Sequence, residues 1–369
     1  MPETFCQFLN NGLVYNNNTE NFTVSPCCYF STNYTIDPAK NLAVQLEKYR
    51  GEWNQSDLSQ TCKLCIDMEK SGIHSYRQAS FENSADDKNR ITMLTVAVTK
   101  QCNLACPSCG PASSSLWFQE NRRNKIPQPV TIEKLHQSDK IKQNTKHFIE
   151  LLEQQDLSAL EYIKFGGGEP LMNDTHLGVL ELVPDPSRVM LQYTSNFSIM
   201  PSRRILDAWK KFKLVKWVAS LDGVESQFEF LRWPYQWADL QTFIGRTKLS
   251  VPGNVMFGVE HTINPLNVYY YDLFENWFKQ NLASNSAGDV SDFNLHPCHG
   301  VMSLSVTPPG VRAMVQHKLG SEHPVMGLLN QNPYRPELMQ ALVQYLDKLN
   351  TWRGVSWREL FPEVEKYYG

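Results

Sequence analysis

From residue 91 onward, short apolar, β-branched runs alternate with longer amphipathic stretches, and this alternation limits the folds open to the chain. The runs are Ile91–Val98, Glu161–Phe165, Val189–Thr194, Leu214–Ser220, Val255–His261 and Val301–Val306. Helical patterns lie between them, near residues 131–155, 201–213, 236–248 and 266–281. Strands separated by about 10–25 helical residues form βαβ units and a parallel sheet, with right-handed crossovers. Six such strands curl toward a barrel but are too few to close the eight-stranded kind. The expected fold class is therefore α/β, an open, partial (βα)6 TIM-like barrel. The tail, Arg335–Leu349 and Trp357–Tyr368, reads as helical and is expected to cover one open edge.

The residues before this region have a different texture. Asn and Thr fill positions 16–35, and the one good helical stretch is Pro38–Arg50. We read residues 1–82 as a small cysteine-rich module, 83–90 as a polar linker, 91–310 as the barrel and 311–369 as a helical extension. A net charge of −3 and a pI near 6.3 give no electrostatic reason to expect nucleic acid or an anionic membrane as partner. No stretch approaches the roughly 20 apolar residues that span a bilayer. The start, MPETFCQFLN, lacks the pattern of a signal peptide, so a cytoplasmic protein is expected. In a reducing compartment an odd set of nine cysteines argues for metal binding over disulfides.

Three of the thiols form a tight run. Cys102, Cys106 and Cys109 have C-x3-C-x2-C spacing directly after the first barrel strand, on the end of the sheet where βα loops build active sites. A loop this short can wrap three thiolates round one corner region of a [4Fe-4S] cube and leave the fourth iron open, whereas structural zinc normally takes four closed ligands. At the end of the second strand stands Gly166-Gly167-Gly168-Glu169-Pro170. Glycines there let backbone approach a ligand closely, and the carbonyls with Glu169 suit an ammonium group.

Together, CNLACPSC and GGGEPL resemble the radical S-adenosylmethionine (SAM) superfamily. The resemblance covers residues 91–306 at least and implies a [4Fe-4S] cluster on Cys102, Cys106 and Cys109 that chelates SAM. It implies reductive cleavage of SAM to a 5′-deoxyadenosyl radical, which abstracts hydrogen from a substrate C–H bond. Gly167, Gly168 and Glu169 would meet the SAM amine. Ser195 and Asn196 resemble the ribose-contacting turn, with Phe197 in place of its glycine. Ser220 closes the fourth strand, and Arg232 is a candidate for the SAM carboxylate. Ser108 stands where the family usually has an aromatic residue near adenine, and Phe165 or Trp117 would compensate.

The N-terminal cysteines supply a second set. Two distant thiols plus Cys62-x2-Cys65 make four ligands, adequate for zinc or for an iron–sulfur cluster. SPCCYF and the Cys62–Arg77 segment resemble the twitch domain, the half-sized relative of the SPASM domain, which carries one auxiliary cluster. That resemblance assigns Cys6, Cys27, Cys62 and Cys65 as ligands of a second, auxiliary iron–sulfur cluster of the [4Fe-4S] type, with Cys28 as the substitute for Cys27. Cys298 stands alone in NLHPCHG; it reads either as a small buried residue or as a hydrogen-atom donor to a substrate radical. The implied partners are a peptide or small-molecule substrate and a one-electron reductant such as flavodoxin or ferredoxin. A small-molecule dehydrogenase or epimerase of the same oxidoreductase chemistry, and a non-catalytic iron–sulfur or zinc protein, are the competing readings.

Overall fold

A computed structural model describes residues 6–16, 23–37, 39–70, 75–80, 90–136, 138–282 and 293–368. Apart from Arg90, the expected linker lies outside the described residues. The strands are β1 (Gly12–Asn16), β2 (Thr23–Ser25), β3 (Tyr34–Thr35), β4 (Met93–Thr99), β5 (Tyr162–Gly167), β6 (Met190–Ser195), β7 (Leu214–Ser220), β8 (Val255–Ile263) and β9 (Phe293–Pro297). They form one sheet in the order β3-β2-β1-β4-β5-β6-β7-β8-β9. Strands β4 to β9 are all mutually parallel, as the βαβ alternation requires.

Side-chain alternation sets the two faces. Leu94, Val96, Ile163, Phe165, Leu191, Tyr193, Val215 and Trp217 are buried beneath the crossover helices. The intervening residues face the concave side, and the register aligns them in rows. Met93, Tyr162, Met190 and Leu214 form the lowest row, and Thr95, Lys164, Gln192 and Lys216 form the next. The curvature is visible in one contact. Lys164 on β5 and Glu260 on β8 are three strand spacings apart, roughly 14 Å in a flat sheet. Their charged atoms lie 3.3 Å apart, so the sheet curls and the pair meets across the concavity. Gln192 and Thr194 also donate to Glu260 (3.4 Å each), and Tyr162 donates to Gln192 (2.5 Å). A closed TIM barrel fills its interior with aliphatic layers; this open one has a polar lumen, with a cavity of about 460 Å³ beneath it lined in part by Met93, Tyr162, Met190 and Leu214.

The N-terminal segment is joined to this sheet. β1 pairs in parallel with β4, and β2 and β3 continue antiparallel. Tyr15 stacks on Phe148 of the Ser138–Leu152 helix at 3.9 Å, within a single apolar cluster running from Phe8 and Trp53 to Leu94 and Ile163.

The sixth barrel strand is Phe293–Pro297 rather than Val301–Val306. The latter residues form two 3-10 turns, between Gly300 at φ 67° and the Pro308–Pro309 pair. Their apolar side chains, Met302, Leu304 and Val306, pack instead with Leu342, Leu346 and Trp357 of the C-terminal helices. The tail is helical as expected, with its main helix at Met339–Arg353.

Two histidines are enclosed on the outer face. His176 lies between Phe165 and Tyr193, and His261 lies against Phe274. Burial lowers both rings from near 6.5 to about 4. Below pH 6.5 the unfolded chain then takes up protons that the native state refuses, so stability is full at neutral pH and falls as pH drops from about 6.5 to 4. Urea midpoints are expected to decline across that window, and His176→Phe is expected to flatten the decline.

Candidate active site at the C-terminal end of the sheet

The cysteine loop leaves β4 and is held by the helix that follows it. Ser115 Oγ lies 3.1 Å from both the N–H and the carbonyl of Cys102, and Ser114 caps the Ser115–Arg123 helix by accepting from Trp117 N–H. The loop's middle carbonyls are tied off one by one. Leu104 O accepts from Ser114 Oγ (2.5 Å), Cys106 O from the Trp117 indole (2.7 Å), and Ala105 N–H donates to Trp233 O (2.7 Å). Cys106 is buried, Cys102 half-buried and Cys109 exposed. Burial first, then the neighbouring Cys106, push the Cys102 thiol up to about 11.

The glycine turn is stitched to this loop. Gly168 N–H donates to Thr99 O (2.6 Å) and Glu169 N–H to Gln101 O (2.7 Å). Gly167 has φ 111°, and a Cβ on Gly168 would stand 2.1 Å from Gln101 O. Both positions therefore require glycine. Gly168→Ala is expected to push the two loops apart and cost about 1–3 kcal/mol, read as a lower urea midpoint at unchanged m-value.

Glu169 is fully buried. Its carboxylate accepts from Ser195 Oγ (3.0 Å), Asn196 N–H (2.6 Å) and Leu171 N–H (3.2 Å). Burial raises it to about 7 against the pull of those donors. Glu169 thus fastens the end of β5 to the end of β6. Asn196 in turn reaches the cysteine loop, donating to Asn103 Oδ1 (2.8 Å), with its amide 3.8 Å from Cys102 Sγ. The turn keeps the left-handed shape that a glycine would give: Phe197 has φ 61°. That conformation costs about 1–2 kcal/mol, which the ring offsets by about 2–3 kcal/mol on burial against Trp217, Phe243 and Phe257.

Arg232 lies at the same end. It pairs with buried Asp222 at 2.8 Å, and its other terminal nitrogen is 3.8 Å from Cys106 Sγ. Asp222 also accepts from Thr262 N–H on β8 (2.8 Å). Ser220 ends β7 beside Glu260 in register. Cys298 follows β9 with its N–H on Ile263 O (2.8 Å). Burial, then Asp222, hold its thiol up at about 12. Cys298 follows the C-terminal end of β9 as the triad follows that of β4, so the solitary cysteine lies at the same end of the sheet. Phe165 points to the helix side, and Trp117 is enclosed by Tyr345 and Arg353.

The N-terminal thiols lie on three segments. Burial first, then the nearby Cys28, Cys6 and Cys62, push the Cys27 thiol up, and burial likewise raises Cys62, with Cys65 a lesser contributor. Four are buried, while Cys28 is exposed and has Lys164 and Glu260 of the lumen among its neighbours. Among the described residues, no three His, Cys, Asp or Glu side chains converge tightly enough to hold a single metal ion. The donor chemistry of the triad does fit a cube: three soft thiols on a loop whose carbonyls are engaged elsewhere.

Sequence reasoning missed Asn103, which lies inside the cysteine motif, and the lumen residues Lys164, Gln192 and Glu260. It also missed Tyr345 and Arg353. The alternation within each strand carried the signal for the lumen residues.

No family model matches the chain, and no curated protein matches it. Two solved structures are among those similar to this chain at low identity. One is native anSMEcpe with bound AdoMet: 13% identity, 72% of this chain and 67% of that one, TM-score 0.43. The other is Streptococcus suis SuiB bound to precursor peptide SuiA: 13% identity, 88% of this chain and 55% of that one, TM-score 0.37. No helix among the described residues is long and apolar enough to cross a membrane.

Proposed function

We propose that this chain is a radical SAM enzyme. The observation that carries the reading is the cysteine loop itself, stitched to the GGGEP turn at the C-terminal end of the parallel strands β4 to β9. Cys102, Cys106 and Cys109 would hold the [4Fe-4S] cluster. When bound, that group would supply the electron that cleaves SAM and so releases a 5′-deoxyadenosyl radical.

The chain's own residues account for the rest. Gly167 and Gly168 leave backbone bare beside the loop. Glu169 acts mainly through Ser195 and Asn196, holding the second and third loops in register. Arg232 brings a buried positive charge beside Cys106, and Ser220 stands at the rim. The lumen residues Lys164, Gln192 and Glu260 offer both donors and acceptors, which suits a polar, amide-rich substrate such as a peptide. Cys6, Cys27, Cys62 and Cys65 would hold an auxiliary iron–sulfur cluster, and a flavodoxin or ferredoxin would supply electrons.

Metal analysis after anaerobic reconstitution tests the assignment. Wild type is expected to hold iron and sulfide at two sites, with one lost in Cys62→Ala and the other in Cys109→Ala. Zinc in place of iron at the N-terminal thiols would overturn the auxiliary assignment, and an iron-free triad would overturn the whole reading. Cys298, kept protonated by its surroundings, suits a hydrogen-atom donor. Cys298→Ala is expected to retain iron while losing solvent-deuterium incorporation into the product of turnover.

A further inference from the structure

We infer that the C-terminal extension is part of the apparatus that shapes the cysteine loop, with Arg353 and Tyr345 as positioning residues for the three thiols. The inference rests on the proposed function of that loop but concerns a part of the chain to which no role has been attached.

Residues 104–107 belong to no helix or strand, so regular structure does not satisfy their carbonyls. Four consecutive carbonyls nevertheless each accept from a side chain. Leu104 O takes Ser114, Ala105 O takes Arg353 Nη2 (2.7 Å), Cys106 O takes Trp117, and Pro107 O takes Tyr345 Oη (2.8 Å). Two of the donors come from the adjacent helix. The other two come from the Met339–Arg353 helix, 238 and 248 residues along the chain. A fixed carbonyl fixes its peptide plane. Arg353 sets the plane before Cys106 and Trp117 the plane after it, while Tyr345 sets the plane that leads toward Cys109.

Arg353 is itself held. Its side chain is fully buried, and Nε and Nη2 grip the two oxygens of Glu120 at 3.0 and 2.8 Å. The guanidinium lies 5.0 Å from the Trp117 ring and 5.6 Å from that of Trp233, whose carbonyl receives Ala105 N–H. Apolar residues could fill this space at no greater cost than a buried ion pair. They could not donate to Ala105 O, and that contact is what the pair supplies to the loop.

The test compares full-length Tyr345→Phe, Arg353→Lys and Arg353→Met with wild type. The readouts are iron content, thermal unfolding, SAM affinity by equilibrium dialysis, and the low-temperature paramagnetic resonance spectrum of the reduced protein with and without SAM. Tyr345→Phe, which removes one hydroxyl, is expected to unfold like wild type yet bind SAM about tenfold more weakly, with an altered SAM-dependent spectrum. Arg353→Lys is expected to recover part of what Arg353→Met loses. Tyr345→Phe with wild-type affinity and spectrum would overturn the inference, whether or not Arg353→Met folds. Wild type without iron or SAM binding would instead overturn the reading of the loop.

Discussion

Cys106→Ala is expected to yield a folded protein that holds about four fewer iron atoms per chain and forms no 5′-deoxyadenosine. Cys106 is the buried member of the triad, set between two peptide planes whose carbonyls are pinned by Arg353 and Trp117. Alanine is small and leaves those backbone contacts intact, so the loop keeps its path while losing one thiolate. Thermal unfolding of the metal-free variant checks this, since it should match metal-free wild type. Iron and sulfide assays then report the ligand loss separately from the fold. If the N-terminal thiols hold their own cluster, the remaining iron stays in place, and the spectrum becomes that of one centre.

Arg232→Met is expected to have the largest effect on stability, a loss of about 3–5 kcal/mol in urea unfolding of the metal-free protein. Asp222 is 1% exposed, and Arg232 at 2.8 Å is its charged partner. Removing the cation leaves a carboxylate in a site with little water. The double variant Asp222→Asn with Arg232→Met is expected to recover much of the loss, because no unpaired charge then remains. That non-additivity distinguishes an ion-pair effect from simple loss of packing. The pair spans the Glu225–Leu231 helix end, β8 through Thr262, and the cysteine loop through Cys106, so the metal-loaded protein should also lose SAM affinity.

The parts of the site that are local in sequence were legible there. The cysteine motif and the GGGEP turn each sit within a dozen residues, at the ends of strands with a plain apolar pattern. The sixth strand was harder because of what it lines. Asn294 and His296 make β9 look like a loop, since the lumen face of a half-open barrel is polar. Val301–Val306 looks like a strand because its apolar residues are buried, but they are buried from two short turns against the C-terminal helices. Phe197 shows the same limit on a smaller scale: the residue type argued against a left-handed turn, and aromatic packing overrode it. Arg353 and Tyr345 left no sequence signal, because a hydrogen bond spanning some 240 residues has no periodicity to read.

The loop holding Cys102, Cys106 and Cys109 is proposed to serve reductive cleavage of SAM. The most direct measurement is mass-spectrometric detection of 5′-deoxyadenosine after anaerobic reconstitution with iron and sulfide, followed by addition of SAM and dithionite. Wild type is expected to form it, and Cys102→Ala is expected to form none. An iron-replete, folded wild type that binds SAM and yields no 5′-deoxyadenosine, with or without candidate peptides, would contradict the account.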